Sequence, residues 1–446
     1  MHLLAAAPGT IADGSAAVDL GQSQGDIVML SAADSELAAF AAARAALGDG
    51  FPSLRLANLR RLGHNLSVDL YVERTLAGAK LVLVRLLGGL GYWPYGIERI
   101  AAACRAEGIK FAILPGDDQP DPTLAEIGTL PAAATHRLWQ YCVHGGADNL
   151  RNALCYAASL IGGAAAWAEP APLLRAGLYW PGRDRPGVAD LRREWRAGAA
   201  VAAVVFYRAL LQAGDLQPID ALIAALRARG LNPLPVYVAS LKDPFSAGLV
   251  AAAFAEAAPA VVLNTVGFAV AGFAGDRHAS PFAAADCPVL QVVLSGGTLA
   301  AWQESRRGLS ASDLAMNVAL PEVDGRVLSR AISFKAEARF DAATECPIVT
   351  HAVLADRVDF VADLASHWVR LRRTPAASRR IALILANYPN RDGRIGNGVG
   401  LDTPAGTVVL LQALRDAGYA LGKSPADGAA LMAQLLAGPT NALGAR

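Results

Sequence analysis

The sequence is short of charge, and evenly so. Only 18% of its 446 residues are charged, 40 basic against 39 acidic, for a formal net charge of +1. Without a basic patch or tail, neither nucleic acid nor an anionic membrane surface is an expected partner. Cysteine is scarce too. Cys104, Cys142, Cys155, Cys287 and Cys346 are odd in number, far apart and form no C-x-x-C pair. That spacing indicates neither a structural zinc site nor a disulfide framework, and buried thiols in a reducing compartment are expected. Long apolar runs are also missing. The nearest, 257–275, is interrupted by Asn264 and Thr265 and reads as a buried strand and loop, so no membrane span is expected. The opening MHLLAAAPGT lacks a basic flank and has too short an apolar core for a signal peptide, so the expected location is cytoplasmic.

A nucleotide-phosphate loop is absent as well. GYALGKS at 418–424 resembles a Walker A ending, but the required first glycine falls on Ala417 and the segment before it reads as helix, not strand. The glycines at 396, 398 and 400 do not fit G-x-G-x-x-G either.

What is present is apolar mass, 54% of residues, enough for large, well-filled cores. At about 150 residues per domain the chain should hold two to four. The first third alternates strand and helix patterns: strands at 26–30, 53–57, 80–86 and 110–114, helices at 34–46, near Ser67 and at 97–107. Pro, Gly and Arg crowd 169–187 and mark a boundary. A strand at 200–206, a helix at 215–229 and a strand at 234–239 then make a βαβ unit, with a helix at 246–257 and strands at 260–264 and 288–294. The expected fold class is α/β: multidomain, with doubly wound parallel sheets of Rossmann or flavodoxin type and the start of a truncated third domain. Its parts are 1–168, a linker at 169–187, 188–375, and 376–446.

Residues with chemical potential gather just past expected strand ends, where open α/β sheets bind ligands. Tyr207, Arg208 and Asp215 follow one strand, and Ser240, Lys242 and Asp243 the next. Asn264, Thr265, Asp276, Arg277 and His278 follow a third, and Ser295, Gly296 and Gly297 a fourth. After the strand at 80–86 come Gly88, Gly89, Tyr92 and Trp93, a glycine–aromatic loop suited either to a flat apolar ligand or to packing on the sheet edge. Asp117, Asp118 and Asp121 read as a solvated acidic loop. His144 beside Gly145 and Gly146 is a candidate ligand or proton carrier, or a helix-packing histidine. The segment 381–406, IALILANYPNRDGRIGNGVGLDTPAG, reads as a strand, a polar glycine-rich loop and a helix start capped by Thr403 before Pro404.

That last segment resembles the signature of the large subunit of aerobic, ATP-dependent cobaltochelatase, of which the H-type large subunit of magnesium chelatase carries a looser relative. VFYRALLQAGDLQPIDALI, LPVYVASLKD, CPVLQVV and DLAMNVALPEVDGR resemble the same family. The resemblance implies insertion of cobalt(II), as substrate, into a corrin, hydrogenobyrinic acid a,c-diamide. It implies ATP and magnesium used by separate AAA+ type motor subunits. Substrate-binding candidates carried over from it are Arg85, Gly88, Gly89, Tyr92, Trp93, His144, Asn387, Tyr388, Asn390, Arg394 and Asn397; catalytic and metal-binding residues are not assigned. Family large subunits are much longer, so an N-terminal portion is expected. The alternatives are a non-catalytic tetrapyrrole-binding or assembly fragment, a magnesium chelatase H-type subunit, and a dinucleotide or nucleotide-sugar enzyme.

Overall fold

The computed structural model describes residues 16–271, 280–387 and 392–438. The chain forms two compact units, Met1–Ser366 and His367–Arg446, each described by itself below.

The first unit holds two sheets. In the smaller, β1 (Ile27–Ser31), β2 (Leu54–Asn58), β3 (Leu81–Leu86) and β4 (Lys110–Pro115) run parallel in the order β2-β1-β3-β4. The runs IVMLS and LVLVRL are buried throughout, as a sheet covered on both faces requires. Alternation sorts the side chains. Ile27, Met29, Leu81 and Leu83 share a core with the helices Asp34–Ala45, Ala132–His144 and Ala147–Leu160. Val28, Leu30, Val82 and Val84 share the other with the helices Asn65–Tyr71 and Pro94–Glu107. Each such side chain contributes roughly 1.5–3 kcal/mol on burial.

The larger sheet has seven strands: β5 (Ala176–Leu178), β6 (Val201–Tyr207), β7 (Asn232–Val238), β8 (Val261–Asn264), β9 (Val289–Thr298), β10 (Val327–Asp341) and β11 (Cys346–Val353). Their order is β11-β10-β9-β8-β6-β7-β5. Five strands from β10 to β7 are parallel; β5 and β11 are antiparallel edges. The sheet is therefore mixed where all-parallel strands were expected. Pro233 and Pro235 sit inside β7 without breaking it. The Asn232 N–H donates to Ala200, so even-numbered residues face β6, while the prolines face the flank that the short β5 reaches only at 236–238.

Other expectations shift locally. Asp215 stands outside its helix, which begins at Gln217. Ser295, Gly296 and Gly297 lie within β9, not past it. The helix near Ser67 is capped by the His64 imidazole, which accepts from the Leu66 N–H. In the second unit, residues 381–386 form no strand; Ile384 is 92% exposed. An apolar run becomes a strand only when another strand takes its hydrogen bonds. The helix Thr403–Asp416 is capped by Asp402, not Thr403, through the Ala405 N–H at 3.0 Å. It packs against the helix Gly428–Leu436, where a Cβ on Gly428 would lie 3.1 Å from Pro404. The segment GYALGKS does follow a helix.

Candidate functional site: two chambers at the sheet switch points

In each sheet the strand order reverses direction beside one strand, and the crevice past the strand C-termini there is the usual ligand site of such folds. In the small sheet that point lies between β1 and β3, in the large one between β6 and β8. Both crevices are real cavities of about 240 Å³, and each draws residues from both sheets.

The first chamber is the more polar of the two. Ser35 and Glu36 come from just past β1, Arg85 from the end of β3, and Gly116, Asp117 and Asp118 from past β4. Arg208 and Ser240 face them from past β6 and β7. Arg85 is buried, pairs through Nη1 with Glu36 at 2.9 Å, and donates from Nη2 to the Gly116 carbonyl at 3.0 Å. Burial opposes its charge, but neighbouring acidic groups, Glu36 first, outweigh that, so its pKa rises. Burial pushes the Cys142 thiol up to about 12, so it is a neutral neighbour. Arg208 donates to the Leu173 carbonyl at 2.9 Å, and burial lowers its pKa. The Nε atoms of Arg85 and Arg208 are buried with no acceptor among the described residues. An unsatisfied donor costs roughly 1–3 kcal/mol, which an incoming carboxylate offsets. Half-exposed Arg175 completes the cationic rim, 3.6 Å from Asp118 and 3.5 Å from Asp243.

His144 ends the helix Ala132–His144 beside this chamber. Burial first, and Arg208 second, lower its pKa. Its Nδ1 is buried with no partner among the described residues. Its place is set by Gly145 and Gly146, at φ +62° and +85°, against Gln212. Gln212 donates to the Val143 carbonyl at 2.6 Å and accepts from the Gly146 N–H at 2.9 Å. A Cβ on Gly145 would meet Gln212 at 2.8 Å. Asn149 is structural here, tying the Gly145 carbonyl to Ala171.

The glycine–aromatic loop divides. Gly88 and Gly89 turn the chain with φ of +88° and +71°, and Tyr92 is exposed beside Gly88. Trp93 instead points inward. It is buried in the small sheet's core and donates from its indole to the Leu62 carbonyl at 2.9 Å. A Cβ on Gly96 would lie 2.0 Å from its ring. Since the indole is held, Gly96→Ala should lower stability by at least about 1–3 kcal/mol, read as a shift in the urea midpoint; an unchanged midpoint would contradict this packing.

In the second unit, the loop past residue 386 folds back on itself. Asn387 bridges Ile395, and the Gly396 N–H donates to the Ala386 carbonyl at 2.9 Å. Arg394 is exposed, and Asn397 donates its backbone N–H to Arg394. Tyr388 and Asn390, like Asp276, Arg277 and His278, lie outside the described residues.

The second chamber is mostly apolar, with Leu87, Leu210, Phe268, Leu294 and Met316 among its walls. Its polar floor comes from β10 and β11: Lys335 and His351, neither of which the sequence patterns single out. The period-two pattern of AISFKAE was the available signal. Asp324 and Arg326, paired at 2.5 Å and buried, hold the wall at 266–271 through the Val266 carbonyl and the Val270 and Ala271 N–H groups. Among the described residues no group of three or more His, Cys, Asp or Glu is arranged to hold a metal ion, and no helix is long and apolar enough to cross a membrane.

Comparison with known proteins agrees with this architecture. The chain is 52% identical, over 99% of its length, to the aerobic cobaltochelatase subunit CobN of a Sinorhizobium species, and 43% identical over 99% to that of Pseudomonas aeruginosa. It covers 35% of each, so it spans about a third of the length of these relatives. The catalytic subunit of cobaltochelatase from Mycobacterium tuberculosis superposes with a TM-score of 0.64 at 30% identity, over 93% of this chain and 33% of that one. Residues 139–445 match the family described as CobN/Magnesium Chelatase. With more than two thirds of its residues inside that match, the chain belongs to the CobN/magnesium chelatase family.

Proposed function

We propose that this chain forms part of the macrocycle-binding machinery of an aerobic cobaltochelatase. In this reading it holds hydrogenobyrinic acid a,c-diamide while cobalt(II), a substrate, is inserted, and ATP with magnesium is hydrolysed by separate AAA+ type motor subunits. The observation that carries the reading is the pairing of the two chambers. The more polar one, into which two arginines bring buried and unpartnered Nε atoms, lies on one side of the helix Arg208–Ala213, and an apolar one on the other. A corrin has that division itself: an apolar ring with carboxylate arms.

The chemistry follows from the residues. Arg85 and Arg208 offer guanidinium N–H groups to carboxylate arms in a site where water screens them little. Gly88 and Gly89 let a flat ring approach the backbone, with Tyr92 alongside. His144, kept neutral by burial and Arg208, has a lone pair able to take a displaced ring proton. In the second unit, taken by itself, Asn387, Arg394 and Asn397 of the signature loop are further candidates for polar contacts to a macrocycle. The identities of 52% and 43% to cobaltochelatase subunits, against 24% to the H-type magnesium-chelatase protein of Rhodobacter capsulatus, favour cobalt over magnesium.

The test is the affinity of an Arg208→Met variant for the corrin, followed by quenching of intrinsic fluorescence. Loss of one charge-assisted contact should weaken binding about tenfold or more. An unchanged Kd would remove the polar chamber from the ring site.

A further inference from the structure

Lys335 and His351 face each other across the β10–β11 ladder, in direct register. Directly opposed residues of an antiparallel pair have Cβ atoms roughly 4.5–5.5 Å apart, so both side chains serve one side of the sheet. They are 2% and 1% exposed and line the apolar chamber. Behind them lies Asp215, which accepts the His351 backbone N–H at 3.2 Å and stands 3.5 Å from Lys335 Nζ. Among the described residues that long contact is the sole partner of an ammonium with three donors. His351 Nδ1 is 3.2 Å from the buried Ser333 hydroxyl, whereas its Nε2 is buried with no partner among the described residues.

The hydroxyls and the carboxylate that also line the chamber are already engaged. The Tyr207 hydroxyl donates to the Gly267 carbonyl at 3.3 Å. Asp313 accepts from the Ser295 hydroxyl, the Gly296 N–H and the Asn317 amide at 2.7–3.1 Å. Two buried groups remain open among the described residues, the Lys335 donors and the His351 Nε2, at the end of an apolar pocket; the half-buried Asn317 gives its amide N–H to Asp313. Charge selects what fits between them. The described part of the site holds two carboxyl side chains, Asp215 and Asp313, against one ammonium. Another anion would be buried against two of its own sign, and a cation would meet Lys335. A neutral group with one acceptor and one donor answers both open positions.

We propose that this chamber is a seat for a primary carboxamide carried on a short aliphatic stem. Lys335 Nζ donates to the amide oxygen. The amide N–H donates to His351 Nε2, whose lone pair is free when Nδ1–H is given to the Ser333 hydroxyl. Leu87, Leu210, Phe268 and Met316 enclose the stem. The site stands on the chamber alone; under the corrin reading above, its occupant is an amidated arm of the macrocycle.

Butyramide, butyrate and n-butylammonium, each titrated into the 446-residue chain and followed by saturation-transfer NMR, test it. Butyramide should bind saturably and at least about tenfold more tightly than either charged analogue. Met316→Trp, which fills the chamber from its rim and leaves the Lys335–Asp215 pair intact, should abolish that binding while circular dichroism stays unchanged. Lys335→Met should weaken it about tenfold. Equal or tighter binding of butyrate, no saturable binding of butyramide, or butyramide binding that survives Met316→Trp would overturn the assignment. A chain that takes butyramide but no corrin would sink the corrin reading and leave this site standing. One that takes corrin but not butyramide would do the reverse.

Discussion

Replacing Lys335 by methionine should lower the unfolding free energy by about 3–5 kcal/mol, the range for removing one partner of a buried ion pair. The side chains of Lys335 and Asp215 are 2% and 3% exposed. Methionine matches the lysine stem, so packing changes little. Among the described residues, the Asp215 carboxylate is then left with the His351 backbone N–H alone, in a place where water cannot reach it. Breaking a pair costs more than never having had one. The double variant Lys335→Met/Asp215→Asn should therefore recover more than half of the loss, because the Asn side-chain carbonyl can still accept the His351 N–H. Urea unfolding of the wild type, both single variants and the double variant closes the cycle. A loss below about 1 kcal/mol for Lys335→Met would mean that the pair is more solvated than its burial implies.

The second large effect is on pH dependence. Burial, and then the Lys335 charge, hold the His351 pKa well below 6.5, and burial and Arg208 lower that of His144. Because the folded-state values are depressed, the unfolded chain takes up these protons first as pH falls. The contribution is complete above about pH 6.5 and is lost progressively below it. Each histidine that stays neutral in the fold shifts the folding equilibrium up to about tenfold per pH unit in that window. Unfolding midpoints from pH 7.5 down to 5 should fall steadily, and His351→Leu should flatten much of the slope. A midpoint that rises on acidification would contradict the depressed pKa values of both imidazoles. Acidic groups near His351 act in the opposite sense. The nearest carboxylate, Asp215, is already shared with Lys335 and the His351 backbone.

Much of this architecture was legible in the residues because apolar periodicity is local. The buried runs LVLVRL and VAAVVFY announce central parallel strands, and the Gly145–Gly146 break shows where one helix stops and the next begins. The last two strands of the large sheet, β10 and the edge strand β11, were not legible. β10 is buried only at its centre, and its charged ends look like loop. β11 carries Pro347 and the polar Thr350 and His351, a composition an edge strand tolerates but that does not announce one. The two side chains that floor the apolar chamber sit on those strands, so they were missed with them. Arg85 became a candidate only through the family resemblance, although the strand that carries it reads unambiguously. Trp93 shows the opposite limit: an aromatic beside glycines looks like a ligand platform until the indole is seen bonded to Leu62. The run at 381–386 shows a third limit, since its strand-like composition meets no neighbouring strand among the described residues of its unit.

Under the proposed reading the chain itself binds the corrin, which a spectral titration of the 446-residue chain with hydrogenobyrinic acid a,c-diamide, with protoporphyrin IX alongside, measures directly. A saturable shift of the corrin absorption bands, selective over the porphyrin and weakened by Arg208→Met, is the expected result. Porphyrin preference, or no saturable response to either ring, would contradict it.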